Sequence, residues 1–315
     1  MSGDNICFFK GQYMPLSEAK IGVMTHAFNY GTGCFEGIRA YWNAEQQQLY
    51  LLFLAEHYER LHRSCRILMI NLPYSVEALC ETTIELLRRN GWREDVYLRP
   101  LAFKASEAIG VKLHGLEDGF TLFGVPFGNY VDTNRALRVC TSSWQRIDDT
   151  VAPARSKVTG IYVNSALAKT EANLNGYDEA LLLTADGHVS EGSGENIFMV
   201  MNGQLVTPPV SDNILVGITR AALIELAERE LGLKTIERSI DRSELYVADE
   251  VFMCGTGAQV APIGELDRRP IGNGGIGPIT QRIQALYFDA VRGKLERYRH
   301  WCTPVYVAAT ARAGD

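Results

Sequence analysis

Apolar residues recur along this chain at two periods, and the switches between them predict most of its elements. Cys7-Phe8-Phe9 and Gln12-Tyr13-Met14 flank Lys10-Gly11, the pattern of a hairpin. Leu54, Tyr58, Leu61, Cys65 and Leu68 fall at steps of four and three, as one buried helix face requires. A second helix is expected between Ser75, a good N-cap, and Gly91, with Val76, Leu79 and Leu86-Leu87 inward. Residues 97–103 and 120–125 read as strands. The pattern then breaks into polar turn residues over 128–135. Beyond that break, Asp186-Gly187 and Asn202-Gly203 predict type I′ hairpins. Helices are expected over 161–174, 218–231 and 278–291, with Gly232 and Gly293 following the last two and Pro278 in a first turn. Strands and helices interleave without strict βαβ alternation, which predicts an α+β fold and argues against a doubly wound sheet. There is no internal repeat, and the tail 308–315 has a composition expected of disorder.

Composition narrows the class. At 315 residues the prior is two domains, and 46% hydrophobic with 22% charged residues is globular. The longest apolar run, 49–55, is far too short for a membrane span. The first residues lack the basic and apolar stretches of a signal peptide. A net charge of −6 and basic runs no longer than Arg88-Arg89 or Arg268-Arg269 argue against nucleic acid as a partner. The seven cysteines never occur as Cys-x-x-Cys, which fits reduced thiols in a soluble, cytoplasmic protein.

Several candidate motifs have ordinary explanations. Gly272 to Gly277 matches G-x-G-x-x-G, but it follows an Arg268-Arg269-Pro270 turn, so a tight loop entering a helix is the default over a nicotinamide site. The glycines at 31, 33 and 37 have the wrong spacing for that motif. His57 and His62 lie five apart and do not share a helix face, and the six histidines offer no metal cluster. No Gly-x-Ser-x-Gly elbow is present. Glu191 and Glu195 would by default be solvated loop carboxylates, and Lys157 a solvent-facing loop lysine.

The ordered context of Lys157 changes that default. Arg155-Ser156-Lys157-Val158-Thr159-Gly160 is followed by Tyr162-Val163-Asn164-Ser165, Gly176-Tyr177-Asp178-Glu179-Ala180 and Ser190-Glu191-Gly192-Ser193-Gly194-Glu195-Asn196-Ile197-Phe198. Leu205-Val206-Thr207-Pro208-Pro209 and Gly217-Ile218-Thr219-Arg220 come next, then Ala248-Asp249-Glu250-Val251-Phe252-Met253-Cys254-Gly255-Thr256. Upstream stand Ala27-Phe28-Asn29-Tyr30-Gly31-Thr32-Gly33-Cys34-Phe35-Glu36-Gly37-Ile38-Arg39, Glu56-His57-Tyr58-Glu59-Arg60-Leu61-His62 and Tyr97-Leu98-Arg99-Pro100. From about residue 6 to residue 306 this order closely resembles the branched-chain amino acid aminotransferases, which are fold-type IV pyridoxal-phosphate enzymes.

The resemblance implies an α+β, two-domain architecture like that of D-amino-acid aminotransferase. Its small domain would span 1–127, a connector 128–137 and a large domain 138–315. It implies pyridoxal 5′-phosphate as cofactor, with Lys157 as the catalytic lysine that bonds it and moves a proton. Glu191 would face the ring nitrogen and keep it protonated, and Tyr162 would hold the ring hydroxyl. The phosphate would lie at Arg60, Gly217, Ile218, Thr219 and Thr256, where an arginine fork meets a helix start. Tyr97 and Arg99 would handle carboxylates, with the backbone N–H groups of Gly257 and Ala258 completing the α-carboxylate site. Tyr30, Phe35, Gly37, Phe127 and Tyr130 would wall the substrate pocket, and Ile109 and Val111 would reach in from a neighbouring subunit.

The activity implied is transfer of the amino group of L-leucine, L-isoleucine or L-valine to 2-oxoglutarate by a ping-pong cycle. The partners would be small amino and 2-oxo acids, and the assembly a homodimer at least, up to a hexamer. Phe127 replaces a tryptophan common in bacterial members and Gly257 a frequent alanine, and the 104–108 loop is also atypical. These departures all fall in the specificity shell and leave open D-amino-acid or (R)-amine activity. A non-catalytic pyridoxal-phosphate protein would lack the lysine or the carboxylate, and both are present.

Overall fold

The computed structural model describes residues 5–128 and 132–306. Tyr130 and the tail 308–315 lie outside the described residues, as do Asn129 and Val131 of the polar stretch. Two sheets carry the architecture. The first runs, edge to edge, Cys302–Pro304, Gln48–Leu52, Ile38–Asn43, Val96–Lys104, Asp118–Pro126, Ile6–Phe9 and Gln12–Pro15, with Gly33–Phe35 also paired to Val96–Lys104. Its pairs are all antiparallel.

The second sheet runs Val189–Gly192, Glu179–Leu183, Leu137–Thr141, Gln259–Leu266, Glu250–Gly255, Asn196–Met201, Gln204–Thr207 and Thr235–Glu237. Leu137–Thr141 is parallel to both neighbours, and Gln204–Thr207 is parallel to Thr235–Glu237. Parallel neighbours need a crossover. The helices Tyr162–Leu174 and Ile218–Leu231 lie in the connections that supply them. The fold is the α+β arrangement that the interleaved pattern predicts.

The long periodic elements form where their sequences place them. The helix Leu54–Ile67 buries Leu54, Tyr58, Leu61 and Cys65 against the first sheet, and Leu68 ends up just past its last turn. In Val76–Asn90 the Ser75 hydroxyl accepts the Ala78 N–H at 3.2 Å and Gly91 takes the left-handed conformation. A second core combines Tyr41, Leu52 and Phe53 of the first half with Phe198, Phe252, Leu223 and Tyr287 of the second, so the halves share an apolar interior.

Two local expectations are corrected. Asn202 and Gly203 both have positive φ (52° and 72°) and close the predicted type I′ turn. Asp186 does not: only Gly187 is left-handed, at φ 93°. Gly187 N donates to Thr184 O at 3.0 Å, which makes a type I turn followed by a left-handed glycine. The Thr184 hydroxyl donates to the Asp186 carboxylate and accepts the His188 N–H, which holds Asp186 right-handed. The helix expected over 161–174 begins instead as a 3₁₀ turn, Thr159–Ile161, with the α-helix starting at Tyr162.

The Gly272 to Gly277 loop connects Arg269–Pro270 to Pro278–Val291, and a Cβ on Gly272 would stand 2.5 Å from the Asp249 carbonyl. Gly272, and Gly277 against the Glu250 side chain, serve close packing, so the default reading of a tight loop entering a helix holds. No helix among the described residues is long and apolar enough to cross a membrane.

Candidate active site

Residues 156–160 dock on residues 31–35, and this contact fixes Lys157. Phe35 N donates to Lys157 O at 3.0 Å, and Gly160 N to Gly31 O at 3.1 Å. The Thr159 hydroxyl donates to Gly31 O at 2.7 Å and accepts Gly33 N at 3.2 Å. The backbones meet so closely that a Cβ on Gly31, itself at φ 65°, would lie 2.6 Å from Gly160 Cα. Lys157 is therefore half-buried, with its backbone clamped. Its side chain enters a cavity of about 570 Å³, where Nζ meets the Tyr162 hydroxyl. The 3₁₀ turn between them lets residues five apart touch.

Glu191 lines the same cavity and is buried, which overturns its default as a solvated loop carboxylate. Oε1 pairs with Arg146 Nη2 at 2.9 Å. Oε2 accepts Leu215 N at 2.9 Å and Asn196 Nδ2 at 3.3 Å. Burial pushes the Glu191 carboxyl up, while Arg146, the Leu215 N–H, Lys157 and Arg60 pull it down. Glu195 is buried as well, and burial followed by the Glu179 charge pushes its carboxyl up to about 8.

Arg60 is committed differently from the expected open fork. Its Nε and Nη2 bind the two oxygens of Glu36, both at 2.7 Å, and Nη1 donates to Val216 O at 2.9 Å. A guanidinium has five N–H groups, so one remains on each terminal nitrogen. His57 Nδ1 lies 2.8 Å from Glu36 Oε2. Burial opposes ionisation of Glu36, but the Arg60 charge and then His57 hold its carboxyl well below the usual range. Burial also pushes the His57 ring below its ordinary value, against the pull of Glu36. The neutral ring then donates from Nδ1, and Arg60 is held by an ionised partner.

Beside Arg60 the helix Ile218–Leu231 begins without a side-chain cap, after Gly217. Its first N–H groups lack intrahelical partners and form the positive end of the helix dipole. Ile218 and Thr219 line the cavity there. Gly217 is required by contact: a Cβ would sit 2.0 Å from Asn196 Oδ1.

The opposite wall comes from the first sheet. Gly33–Phe35 and Ile38–Asn43 both pair with Val96–Lys104, and the break at Glu36-Gly37 turns Glu36 inward. Gly37 leaves room for Tyr97, whose hydroxyl would be 2.4 Å from a Cβ there. Arg99 Nη2 donates to the Tyr97 hydroxyl at 2.9 Å, and its guanidinium lies 4.3 Å from the Phe35 ring centre. Phe127 packs at 5.3 Å on Tyr97. Phe123 and Val125, opposite Arg99 and Tyr97 in the register, extend this wall. Thr256, Gly257 and Ala258 close the cavity in the turn between two strands. Among the described residues the N–H groups of Gly257 and Ala258 meet no acceptor.

Three expected wall residues do not line the cavity of their own chain. Tyr30 ends the short helix His26–Tyr30, and its hydroxyl accepts Gly110 N at 3.0 Å. Ile109 and Val111 on that loop are 72% and 81% exposed. Tyr130 lies outside the described residues. Arg146, Asn196, Glu36 and His57 were missed by sequence reasoning, although all but Arg146 sit inside motifs quoted for their neighbours.

The family model described as Amino-transferase class IV matches residues 33–266. A probable branched-chain-amino-acid aminotransferase of Aquifex aeolicus is 54% identical over 302 residues, covering 96% of this chain and 97% of the relative. The crystal structure of a branched-chain aminotransferase from Thermoproteus uzoniensis, with norvaline, superposes with a TM-score of 0.92 at 45% identity over 96% of this chain and 100% of that one. The branched-chain amino acid aminotransferase of Thermobaculum terrenum, in its PLP form, also gives 0.92, at 37% identity over 98% of this chain and 100% of that one. The chain belongs to the branched-chain amino acid aminotransferases, within class IV of the aminotransferases.

Proposed function

We propose that this cavity carries out a two-stage amino transfer, from a branched-chain L-amino acid and then to 2-oxoglutarate, with every step at one set of residues. The observation that carries the reading is convergence. Lys157, Glu191 and the uncapped start of Ile218–Leu231 meet at one cavity, and each matches a different part of pyridoxal 5′-phosphate. The remaining N–H pair of Arg60 and the helix start suit a phosphate dianion. Glu191, held by Arg146, suits a protonated ring nitrogen. Tyr162 suits the ring hydroxyl, and Thr256 adds a donor at the phosphate end. The residues fit the group.

The cofactor supplies an electron sink that lets the α-C–H bond of an amino acid break heterolytically. Lys157 Nζ would bond the cofactor in the resting enzyme; once displaced by the substrate amine, it would take the proton from the substrate's α-carbon and deliver it to the cofactor carbon on the other side of the transferred nitrogen. Tyr97 and the free N–H groups of the 256–258 turn orient the α-carboxylate. Phe35 and Phe127 wall the aliphatic side chain. Arg99, stacked on Phe35 and bonded to Tyr97, supplies the one cation that a γ-carboxylate needs in the return stage.

The reading of a homodimer is supported by the exposed apolar side chains of Ile21, Val23, Met24 and Phe28 and of Ile109 and Val111. His26 Nε2 holds Gly110 O at 2.7 Å and fastens that loop to the short helix, so both parts would approach a partner's cavity together. The division into domains at 1–127 and 138–315 is read from the first sheet, which draws its strands up to Pro126 and adds only Cys302–Pro304 from the far end. Cytoplasmic residence is read from seven free thiols.

Initial rates over a grid of L-leucine and 2-oxoglutarate test the two-stage reading. Parallel double-reciprocal lines are expected, because the first product leaves before the second substrate enters. Lines that intersect would contradict it.

A further inference from the structure

We propose that Arg39 is a positioning residue for the substrate's α-carboxylate, holding the Gly257–Ala258 peptide so that its N–H faces the cavity. This rests on the reading above that the carboxylate binds at the 256–258 turn. Arg39 stands on the strand Ile38–Asn43 and is fully buried. Among the described residues no carboxylate pairs with it, whereas Arg60 and Arg146, also buried, each have one. A buried guanidinium without a counter-charge is costly, so its own contacts and any anion nearby must account for it.

Those contacts are all carbonyls and rings. Nη2 donates to Phe127 O at 2.9 Å and Gly128 O at 2.6 Å, and Nη1 to Gly257 O at a longer 3.5 Å. The guanidinium carbon lies 5.1 Å from the Phe127 ring centre and 5.5 Å from that of Tyr41. One side chain therefore ties together the aromatic wall and the turn across the cavity.

In a trans peptide the carbonyl and the following N–H point in opposite directions. With Gly257 O turned to Arg39, the Ala258 N–H points away from it. Ala258 lines the cavity, and its N–H has no protein acceptor among the described residues. Arg39 thus fixes that donor's direction, polarises the peptide from behind and sets a positive charge one peptide away from the carboxylate. The α-carboxylate becomes the counter-charge that the protein withholds. Because the same guanidinium holds Phe127 O, the carboxylate site and the side-chain wall move as one unit.

Calorimetric titration of the holoenzyme with 4-methylpentanoate and with 4-methylpentanamide separates this role from general packing. The two probes share an aliphatic chain and differ in the charge. Wild type should prefer the carboxylate. Arg39→Met should weaken carboxylate binding about 10- to 100-fold, the scale of a charged hydrogen-bond contribution, and the amide less than about 3-fold, with cofactor content unchanged. Arg39→Lys should recover part of the difference, and it carries the same test if the methionine variant does not fold. Equal weakening of both probes, or of neither, overturns the role of Arg39. If wild type itself does not distinguish the probes, the carboxylate site is misplaced and the proposal falls with it.

Discussion

Replacing Lys157 by alanine should abolish turnover, lowering the rate with L-leucine by at least about 10⁴-fold, the upper range for one positioned acid–base group. Among the described residues lining this cavity Lys157 is the one amine, so on the proposed reading no neighbour can assume its duties. Tyr162, its contact, is a phenol and cannot form the bond to the cofactor. Arg60 and Arg146 are bound to Glu36 and Glu191, and a guanidinium offers no amine to take the place of Lys157. The variant should still bind pyridoxal 5′-phosphate through Arg60 and the helix start, but without the visible absorbance of the lysine-bound form. Absorbance spectra and coupled glutamate assays read both effects, and appreciable surviving transamination would remove Lys157 from its assigned role.

The second large effect is expected at Glu191. The glutamine variant keeps the size and the acceptor for Leu215 N but removes the charge that favours a protonated ring nitrogen. Turnover should fall on the order of 10²–10³-fold, the scale of losing one preorganised electrostatic partner. Affinity for the cofactor's phosphate end should change little, since Arg60, Gly217 and Ile218 are untouched. The loss should therefore appear in kcat, with cofactor content retained. A variant within about threefold of wild type in kcat would show that turnover does not depend on the Glu191 charge.

Much of this was legible in the sequence because it is local. The helices Leu54–Ile67, Val76–Asn90, Ile218–Leu231 and Pro278–Val291 are long enough for their apolar period and their caps to speak together. The five-residue helices His26–Tyr30 and Arg242–Tyr246 are too short to show a period. Lys157 and Glu191 were singled out through their ordered motifs, and both line one cavity; by composition alone both would have been taken as solvated loop residues.

Long-range pairings were not legible. Glu36 meets Arg60 across 24 positions and Arg146 meets Glu191 across 45, and no spacing rule connects such pairs. The helix-spacing test set His57 aside as a metal ligand, yet that test is blind to its contact with Glu36. Lys104, noted in sequence only as part of an unusual loop, is buried and bonds Asp118 and the Met69 carbonyl. Asp186 was misread because its side chain, held by Thr184, decides the turn that its dipeptide alone suggests otherwise.

Rapid mixing of the holoenzyme with one amino donor at a time, without any acceptor, tests the central claim most directly. The cofactor's visible absorbance would be followed with L-leucine, L-glutamate, D-alanine and (R)-1-phenylethylamine in parallel. A pocket with aromatic walls and the Arg99 guanidinium stacked on one of them should respond rapidly to L-leucine and L-glutamate and to neither of the others. Rapid bleaching by D-alanine or the arylamine, or none by L-leucine, would contradict it.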